Sequence, residues 1–343
     1  MIDLDRDQDA IAKRDLERDP SPVLQLSVVV PAHNAGLDLP HCIAALEASD
    51  LPREKWELIV IDDSAANGPA FSRNRGIEQA RAPIVAFVDA DVMVHSDALR
   101  LILAHFQSDD DVQAVFGSYD DSPSASGAVS SYRNLLHAFV HQHAGGDVDS
   151  FWAGCGGVRK NALIEAGMFD EKRFTRPEME DVELGYRLRD LGFRIVLDPS
   201  IQCTHRKRWS LSQMIRSDFA RRGVPWTRLL LRRGELFHPR GLSVGKLERV
   251  GVIAAPICLI SLIVALFSRD LIPFAIAATS LIAFLISGSR FFRWIAHVKG
   301  IAFLAVAIPL HFLYNLVAFS ALVWGVITAS VSLSEPARYT RRQ

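Results

Sequence analysis

Two acidic pairs carry the chemistry that this sequence offers. Asp89-Ala90-Asp91 follows the apolar run IVAFV. Carboxylates at i and i+2 beyond a strand end can both approach one hard divalent cation, the way an acidic pair holds Mg2+ or Mn2+ against diphosphate oxygens. Such triplets also occur as solvated turns, so the reading depends on what accompanies it. Glu180-Asp181 lies in RPEMEDVELGYRLRDLGFRI, where Leu184, Leu188 and Leu191 mark an apolar helical face. Carboxylates at that helix start either serve the helix dipole or accept a proton. Upstream, WAGCGGVRK sets Gly154, Gly156 and Gly157 where backbone can approach a ligand closely. Downstream, His205 ends the strand candidate RIVLDPSIQCTH and offers a third metal ligand, with a structural histidine as the alternative.

The elements that must hold these groups alternate strand and helix from Leu26 onward. LSVVV reads as a strand ended by Pro31, and Leu39 to Ala48 as a helix with Pro40 in its first turn. WELIVID is a second strand, Pro69 to Ala80 a second helix, and Ile84 to Val88 a third strand that runs into Asp89. Strands separated by helices pair in parallel with both faces covered, which makes an α/β sheet. Ligands of such sheets sit beyond the carboxyl ends of the strands. Polar groups follow each strand there: His33 and Asn34, then Asp62, Asp63 and Ser64, then Asp89 and Asp91. Residues 118–150, rich in Ser, Gly and His, read as a mobile connection over the site.

A formal net charge of -1 over 343 residues conceals strong segregation. Residues 25–204 hold 27 acidic against 15 basic side chains, whereas residues 205–249 hold 12 basic against 3 acidic, so an acidic body adjoins a basic collar. Bulk charge makes no case for a nucleic-acid partner. Val250 to Phe267 and Leu271 to Ser289 contain no charged residue, and Ile301 to Ser334 none beyond the titratable His311. A bilayer core needs about 20 apolar residues per helix, so residues 250–334 are expected to form about three transmembrane helices, with membrane lipids as partners. The last stretch is long for one span and carries Pro309. Segment 289–300 mixes Arg290, Arg293 and Lys299 with Phe291, Phe292 and Trp294, a composition suited to the membrane interface. In the juxtamembrane collar, residues 206–249, Trp209, Met214, Ile215, Phe219 and Trp226 are interleaved with the charges, as in amphipathic helices on an anionic leaflet. Positive charge beside the first span places the acidic body in the cytoplasm, against a bacterial inner membrane. Residues 1–24 lack the apolar core of a signal peptide and read as a flexible tail, and residues 335–343 as a basic one. Cys42, Cys155, Cys203 and Cys258 are dispersed, which indicates neither a zinc site nor a disulfide framework and suits a reducing compartment.

In order and spacing, SVVVPAHN, VIDDS, AFSRNRGIEQA, VAFVDADV, WAGCGGVRKNALIEAGMFDE and EDVELGYRLRDLGF resemble the inverting glycosyltransferases of family 2. The resemblance covers Leu26 to His205 and implies a GT-A, Rossmann-like catalytic domain over residues 25–205. By this resemblance Pro31, Ala32, His33, Asn34 and Asp63 would hold the nucleotide base and ribose of a nucleotide-diphosphate sugar, with Asp62 supporting. Arg73 and Asn74 would line that pocket, a capped solvent-facing helix being the alternative. Asp91 resembles the direct ligand of Mg2+ or Mn2+, Asp89 the ribose or second metal partner with Ala90 between them, and His205 the family's C-terminal metal histidine. Gly154, Gly156 and Gly157 would cradle the donor sugar and Trp152 would stack on a sugar ring. Asp181 matches the general base, with Glu180 as runner-up.

The resemblance implies single displacement. A base takes the acceptor hydroxyl proton as that oxygen attacks the anomeric carbon, while a cation neutralises the departing diphosphate. The nearest text to the Gln-x-x-Arg-Trp motif of the processive synthases is QMIRSDFARRGVPW, which lacks it. One-sugar transfer to a lipid-linked or membrane-proximal glycan acceptor is therefore the expectation. A polyprenyl-phosphate sugar synthase and a non-catalytic nucleotide- or partner-binding membrane module are the alternatives. A dinucleotide-binding enzyme is not, because PAHNAG stands where GxGxxG would follow the first strand.

Overall fold

The computed structural model describes residues 24–236 and 246–332. All but Leu24 of the expected tail at residues 1–24, the expected tail at residues 335–343, and the part of the collar that contains Arg240 lie outside the described residues.

Strands β1 (Leu26–Ala32), β2 (Trp56–Asp62), β3 (Ile84–Val88), β4 (Val92–Val94), β5 (Val112–Tyr119), β6 (Gly146–Val148), β7 (Cys155–Arg159) and β8 (Arg194–His205) form one sheet. Its order is β2-β1-β3-β7-β5-β8-β4, with β6 on β8. β1 pairs in parallel with β2 and β3, and β5 with β8, while β7 runs antiparallel between β3 and β5. The sheet is thus α/β as expected, but mixed. Side-chain alternation explains why β3 is apolar throughout and β1 apolar but for Ser27. Val28, Val30, Ala86 and Val88 enter one core while Val29, Val85 and Phe87 enter the other, so each residue of these central strands meets a covered face. β1 does not stop at Pro31. Pro31 still pairs Ile61 of β2, but the pairing with β3 has ended at Val29, so the missing N–H is not needed on that side. The first two helices, Asp38–Glu47 and Pro69–Gln79, fall where the periodicity predicts.

Residues 118–150 are not a mobile connection. They hold a 15-residue helix, Ala128–Gln142, whose Tyr132, Leu135, Leu136 and Phe139 are buried. The Ser and His content masks this stripe, which the spacing 132, 135, 136, 139 carries. Tyr132 and Phe139 pack edge-on against Phe291 at ring separations of 5.9 and 5.3 Å. The aromatic side of helix Ser289–Lys299 therefore faces protein rather than an interface: Phe291, Phe292 and Ile295 are buried.

Among the described residues two helices are long and apolar enough to cross a membrane, Leu247–Ser268 and Ile301–Ala329. The expected third span is a bent pair, Leu271–Ser287 and Ser289–Lys299, meeting at 60°. The break falls at Gly288, where a Cβ would stand 2.6 Å from the Phe292 ring. In the collar, Trp209 and Met214 are buried against the apolar helices instead of facing outward. Helix Val224–Arg233 lies directly on helix Leu304–Ser332. A Cβ on Gly223 would stand 2.5 Å from Ala321 Cβ, and one on Gly325 2.6 Å from Thr227 Cβ, so small residues set this close contact.

The junction is closed by a buried ion pair. Arg133, 3% exposed, is bonded to Asp218, 6% exposed, with the Trp209 and Tyr314 rings beside the guanidinium. Arg133→Met should lower stability by about 3–5 kcal/mol because Asp218 is left buried and uncompensated. The double change Arg133→Met, Asp218→Leu should recover most of that loss in thermal unfolding of the detergent-solubilised protein.

Candidate active site

Beyond the carboxyl ends of β1 and β3 opens a cavity of about 1330 Å³. Thirteen of the residues named from the sequence line it: Pro31, Ala32, His33, Asn34, Asp63, Arg73, Asp89, Ala90, Asp91, Trp152, Glu180, Asp181 and His205. Asp62, Asn74, Gly154, Gly156 and Gly157 do not. Asp62 is exposed at the end of β2. Asn74 is buried, with its amide bonded to Phe169 and Glu171, so it braces the loop after helix Lys160–Glu165. The glycines are small for packing's sake: added Cβ atoms would meet the Trp152 ring at 2.2 Å, Phe116 Cβ at 2.7 Å and Ile102 at 2.8 Å. Gly154 acts on the site at one remove, by letting the Trp152 ring lie over it and by accepting the Asp89 N–H at 3.1 Å.

Asp63 is engaged by its own loop. Its carboxylate accepts from the backbone N–H of Asn67 and Gly68 at 2.9 and 2.7 Å. Burial would raise this carboxyl, but these bonds outweigh it and hold it below the usual range. The His33 ring is fixed between the Asp63 carbonyl, which accepts from Nδ1 at 2.6 Å, and the Asn34 amide, which donates to Nε2 at 2.9 Å.

Arg73 joins the two acidic pairs. Its Nη2 meets Asp89 and its Nη1 meets Glu180, both at 2.8 Å, and Arg73 is 3% exposed. Asp89 thus gives Oδ1 to a guanidinium while its side chain, 32% exposed, still lines the cavity. Glu180, 4% exposed, is fully used, since its other oxygen accepts the Glu178 N–H. Asp181 opens to the cavity with each oxygen steadied by one backbone N–H, from Ala153 at 3.1 Å and Val182 at 2.8 Å. Burial and the neighbouring Glu180 charge push Asp181 up to about 6, against the pull of Arg73. Of Glu180 and Asp181, Asp181 has no side-chain partner among the described residues and the greater exposure to the cavity.

Antiparallel pairing of β4 with β8 brings Asp91 and His205 together. Val92 is opposite His205, and Arg206 N–H donates to the Asp91 carbonyl at 2.9 Å. The imidazole is aimed by Asn134, which the sequence reading missed. The Trp209 indole N–H, a donor only, bonds Asn134 Oδ1 at 3.0 Å, and Asn134 Nδ2 donates to the Lys207 carbonyl. That fixes Oδ1 as the acceptor of His205 Nδ1–H at 2.9 Å. In the neutral ring Nε2 then turns its lone pair toward Asp91 Oδ2 at 3.6 Å. Two acceptors face one another across a gap that a cation would bridge. Burial alone would raise the Asp91 carboxyl, but the His205 ring in its protonated form, and the Lys207 ammonium 4.0 Å from Oδ2, outweigh it and hold it at about 2. Among the described residues no three His, Cys, Asp or Glu side chains form a metal cage. The pair fits a cation that completes its shell with diphosphate oxygens and water.

Tyr119 was also unread. Its ring stacks on His205 at 4.4 Å and meets Trp152 edge-on at 4.7 Å. Burial and the Asp91 charge push its phenol far up, so it stays neutral. His137 and His141 stack on the same ring, and burial together with Arg222 holds both low, at about 4 for His141. No local pattern marks these residues, because their relation to the acidic pairs is made by the sheet.

Asn134→Leu fills the same volume without an acceptor. It should abolish the Nδ1–H preference of His205, read as ring nitrogen shifts in 15N-histidine-labelled protein; an unchanged tautomer would refute the role of the amide.

The family described as "Glycosyltransferase like family 2" matches residues 41–222. Curated relatives include a poly-beta-1,6-N-acetyl-D-glucosamine synthase of Staphylococcus aureus, 27% identical over 156 residues, which are 44% of this chain and 37% of that protein. A pre-mycofactocin glycosyltransferase of Mycobacterium tuberculosis is 26% identical over 214 residues, 55% of this chain and 44% of the other. The chain thus spans less than half the length of these relatives. Among solved structures, a mannosyltransferase from Pyrobaculum calidifontis in complex with GDP-Man and Mn2+ aligns with a TM-score of 0.49 at 16% identity, covering 95% of this chain and 94% of the other.

Proposed function

Because the chain belongs to glycosyltransferase-like family 2, we propose that it transfers one sugar, with inversion, from a nucleotide-diphosphate sugar to a membrane-proximal acceptor. The observation that carries this reading is the shared cavity. It sets a poised proton acceptor, Asp181, and a cation-competent pair, Asp91 and His205, around one space.

In this reading Pro31 to Asn34 and the Asp63 loop hold the nucleoside. Asp91 and His205 Nε2 hold Mg2+ or Mn2+, which when bound offsets the charge of the leaving diphosphate. Trp152, braced by Tyr119 and Gly154, gives the donor sugar an apolar wall. Asp181 removes the acceptor hydroxyl proton as the oxygen attacks the anomeric carbon. Arg73 keeps Asp89 and Glu180 paired, so neither competes for the cation or the proton. Transfer of one sugar rather than chain growth is supported by Ser217 after Arg216, where a Gln-x-x-Arg-Trp motif would carry Trp. The basic collar beside the first apolar helix supports a cytoplasmic catalytic body held at a membrane.

Asp181→Asn should lower turnover by about 10²–10⁴-fold and leave nucleotide-sugar binding intact in a thermal-shift titration. Wild-type turnover in that variant would remove Asp181 from the mechanism. In the native enzyme turnover should fall as pH drops through about 6, since protonated Asp181 cannot accept a proton; an acid limb that persists unchanged in Glu180→Gln and vanishes only with Asp181 identifies the group. Asp91→Asn should abolish the Mn2+-dependent part of donor binding, which a screen of UDP-, GDP- and dTDP-sugars with and without Mn2+ measures directly.

A further inference from the structure

The cavity is larger than one donor needs. Its volume of about 1330 Å³ exceeds the roughly 300–1,000 Å³ that holds a single small ligand, and its far end leaves the sheet. The wall there is Trp226, Leu230, Val252, Ile253, Ala318 and Leu322. Tyr314, Ala318 and Leu322 recur every four residues, so they share one face of helix Leu304–Ser332. Ile253 is 54% exposed on helix Lys246–Ser268. This end is therefore shaped by the two helices that are long and apolar enough to cross a membrane.

Two cations on the same cavity stand outside any ion pair among the described residues. Arg221 and Arg222 line it one turn ahead of Trp226, and both are exposed to it. The nearby carboxylates are Asp218, which gives one oxygen to Arg133, and Glu178, which lines the cavity close enough to feel the Arg221 charge. Arg222 donates to His137 Nε2 at 2.5 Å, a neutral partner, and neither arginine has a carboxylate within ion-pair distance among the described residues. Both cations line the same space as the proton acceptor, Asp181.

We propose that this end is the acceptor site and that the acceptor is an anionic lipid with a free hydroxyl. The hydroxyl lies at Asp181, a phosphate-type group lies on Arg221 and Arg222, and the hydrocarbon chain leaves between helices Lys246–Ser268 and Leu304–Ser332. This rests on the glycosyl-transfer reading above. The acceptor O–H bond breaks as oxygen bonds the anomeric carbon; the proton goes to Asp181, and the bond to the nucleoside diphosphate breaks with its electron pair on the diphosphate. A phosphate monoester has its second pKa near about 6 and attacks without a base. The presence of a poised base therefore favours a hydroxyl nucleophile, as on a lipid-linked sugar, over a bare lipid phosphate.

The test uses the full chain in a neutral detergent, with three probes at equal concentration: hexadecyl phosphate, hexadecanol and inorganic phosphate. Hexadecyl phosphate should raise the Tm and the other two should not. Arg221→Gln with Arg222→Gln should weaken hexadecyl phosphate binding by roughly ten- to a hundredfold; Ala318→Trp, or Arg222→Gln alone should the tryptophan variant not fold, should also weaken it. Nucleotide-sugar binding with Mn2+ should be unchanged in the arginine variants. An equal shift with inorganic phosphate, or loss of nucleotide-sugar binding along with lipid binding, would assign the arginines to the donor diphosphate and overturn the proposal. Hexadecyl phosphate binding that survives both kinds of variant would make it mere detergent uptake and overturn it too. A wild-type chain that binds the lipid but no nucleotide sugar would instead refute the transfer reading while leaving the lipid site in place.

Discussion

One guanidinium makes this active site possible. The cavity draws Asp89, Asp91, Glu180 and Asp181 to a common space, and four carboxylates there without compensation would repel one another and take up protons. Arg73 lies between the pairs and binds one member of each. It is carried by helix Pro69–Gln79, which starts with Pro at its first position, and Gly76 lets that helix approach β1 so closely that a Cβ would stand 2.2 Å from Val29. Asp89 and Glu180 are the members it pairs with. The other two, Asp91 and Asp181, keep their charge or their basicity for use.

Division of labour inside each pair was beyond what the sequence could say. Asp89-Ala90-Asp91 at a strand end and Glu180-Asp181 at a helix start are local patterns, and the elements that carry them were legible from periodicity. Which carboxylate faces the cavity depends on Arg73, and nothing in AFSRNRG states that its arginine turns inward. Asn134, Tyr119 and Arg222 were missed for the same reason. They are placed by β5, by helix Ala128–Gln142 and by the collar, and they meet the acidic residues only after the sheet has formed. The glycines show the opposite error. A residue without Cβ permits close approach of anything, and in WAGCGG the approaching groups are Trp152, Phe116 and Ile102 rather than a sugar.

Hydropathy located the apolar helices well and their surroundings poorly. Runs without charge marked the two long helices, but the bend at Gly288 and the inward turn of Phe291 and Phe292 follow from packing against helix Ala128–Gln142. The collar misled in a similar way. Its basic side chains invite a picture of helices resting on a leaflet, yet Trp209, Met214 and Thr227 are buried in protein, and several of its arginines serve the junction or the cavity.

Helix Ala128–Gln142 carries two bonds within a single turn. Tyr132 Oη lies 3.0 Å from His311 Nδ1 in the last apolar helix, and Asn134, two residues on, bonds the His205 ring. No loop or glycine separates these positions. The bilayer-compatible part of the molecule and the imidazole beside Asp91 are therefore both bonded to one helix, with no flexible joint between the two points of attachment.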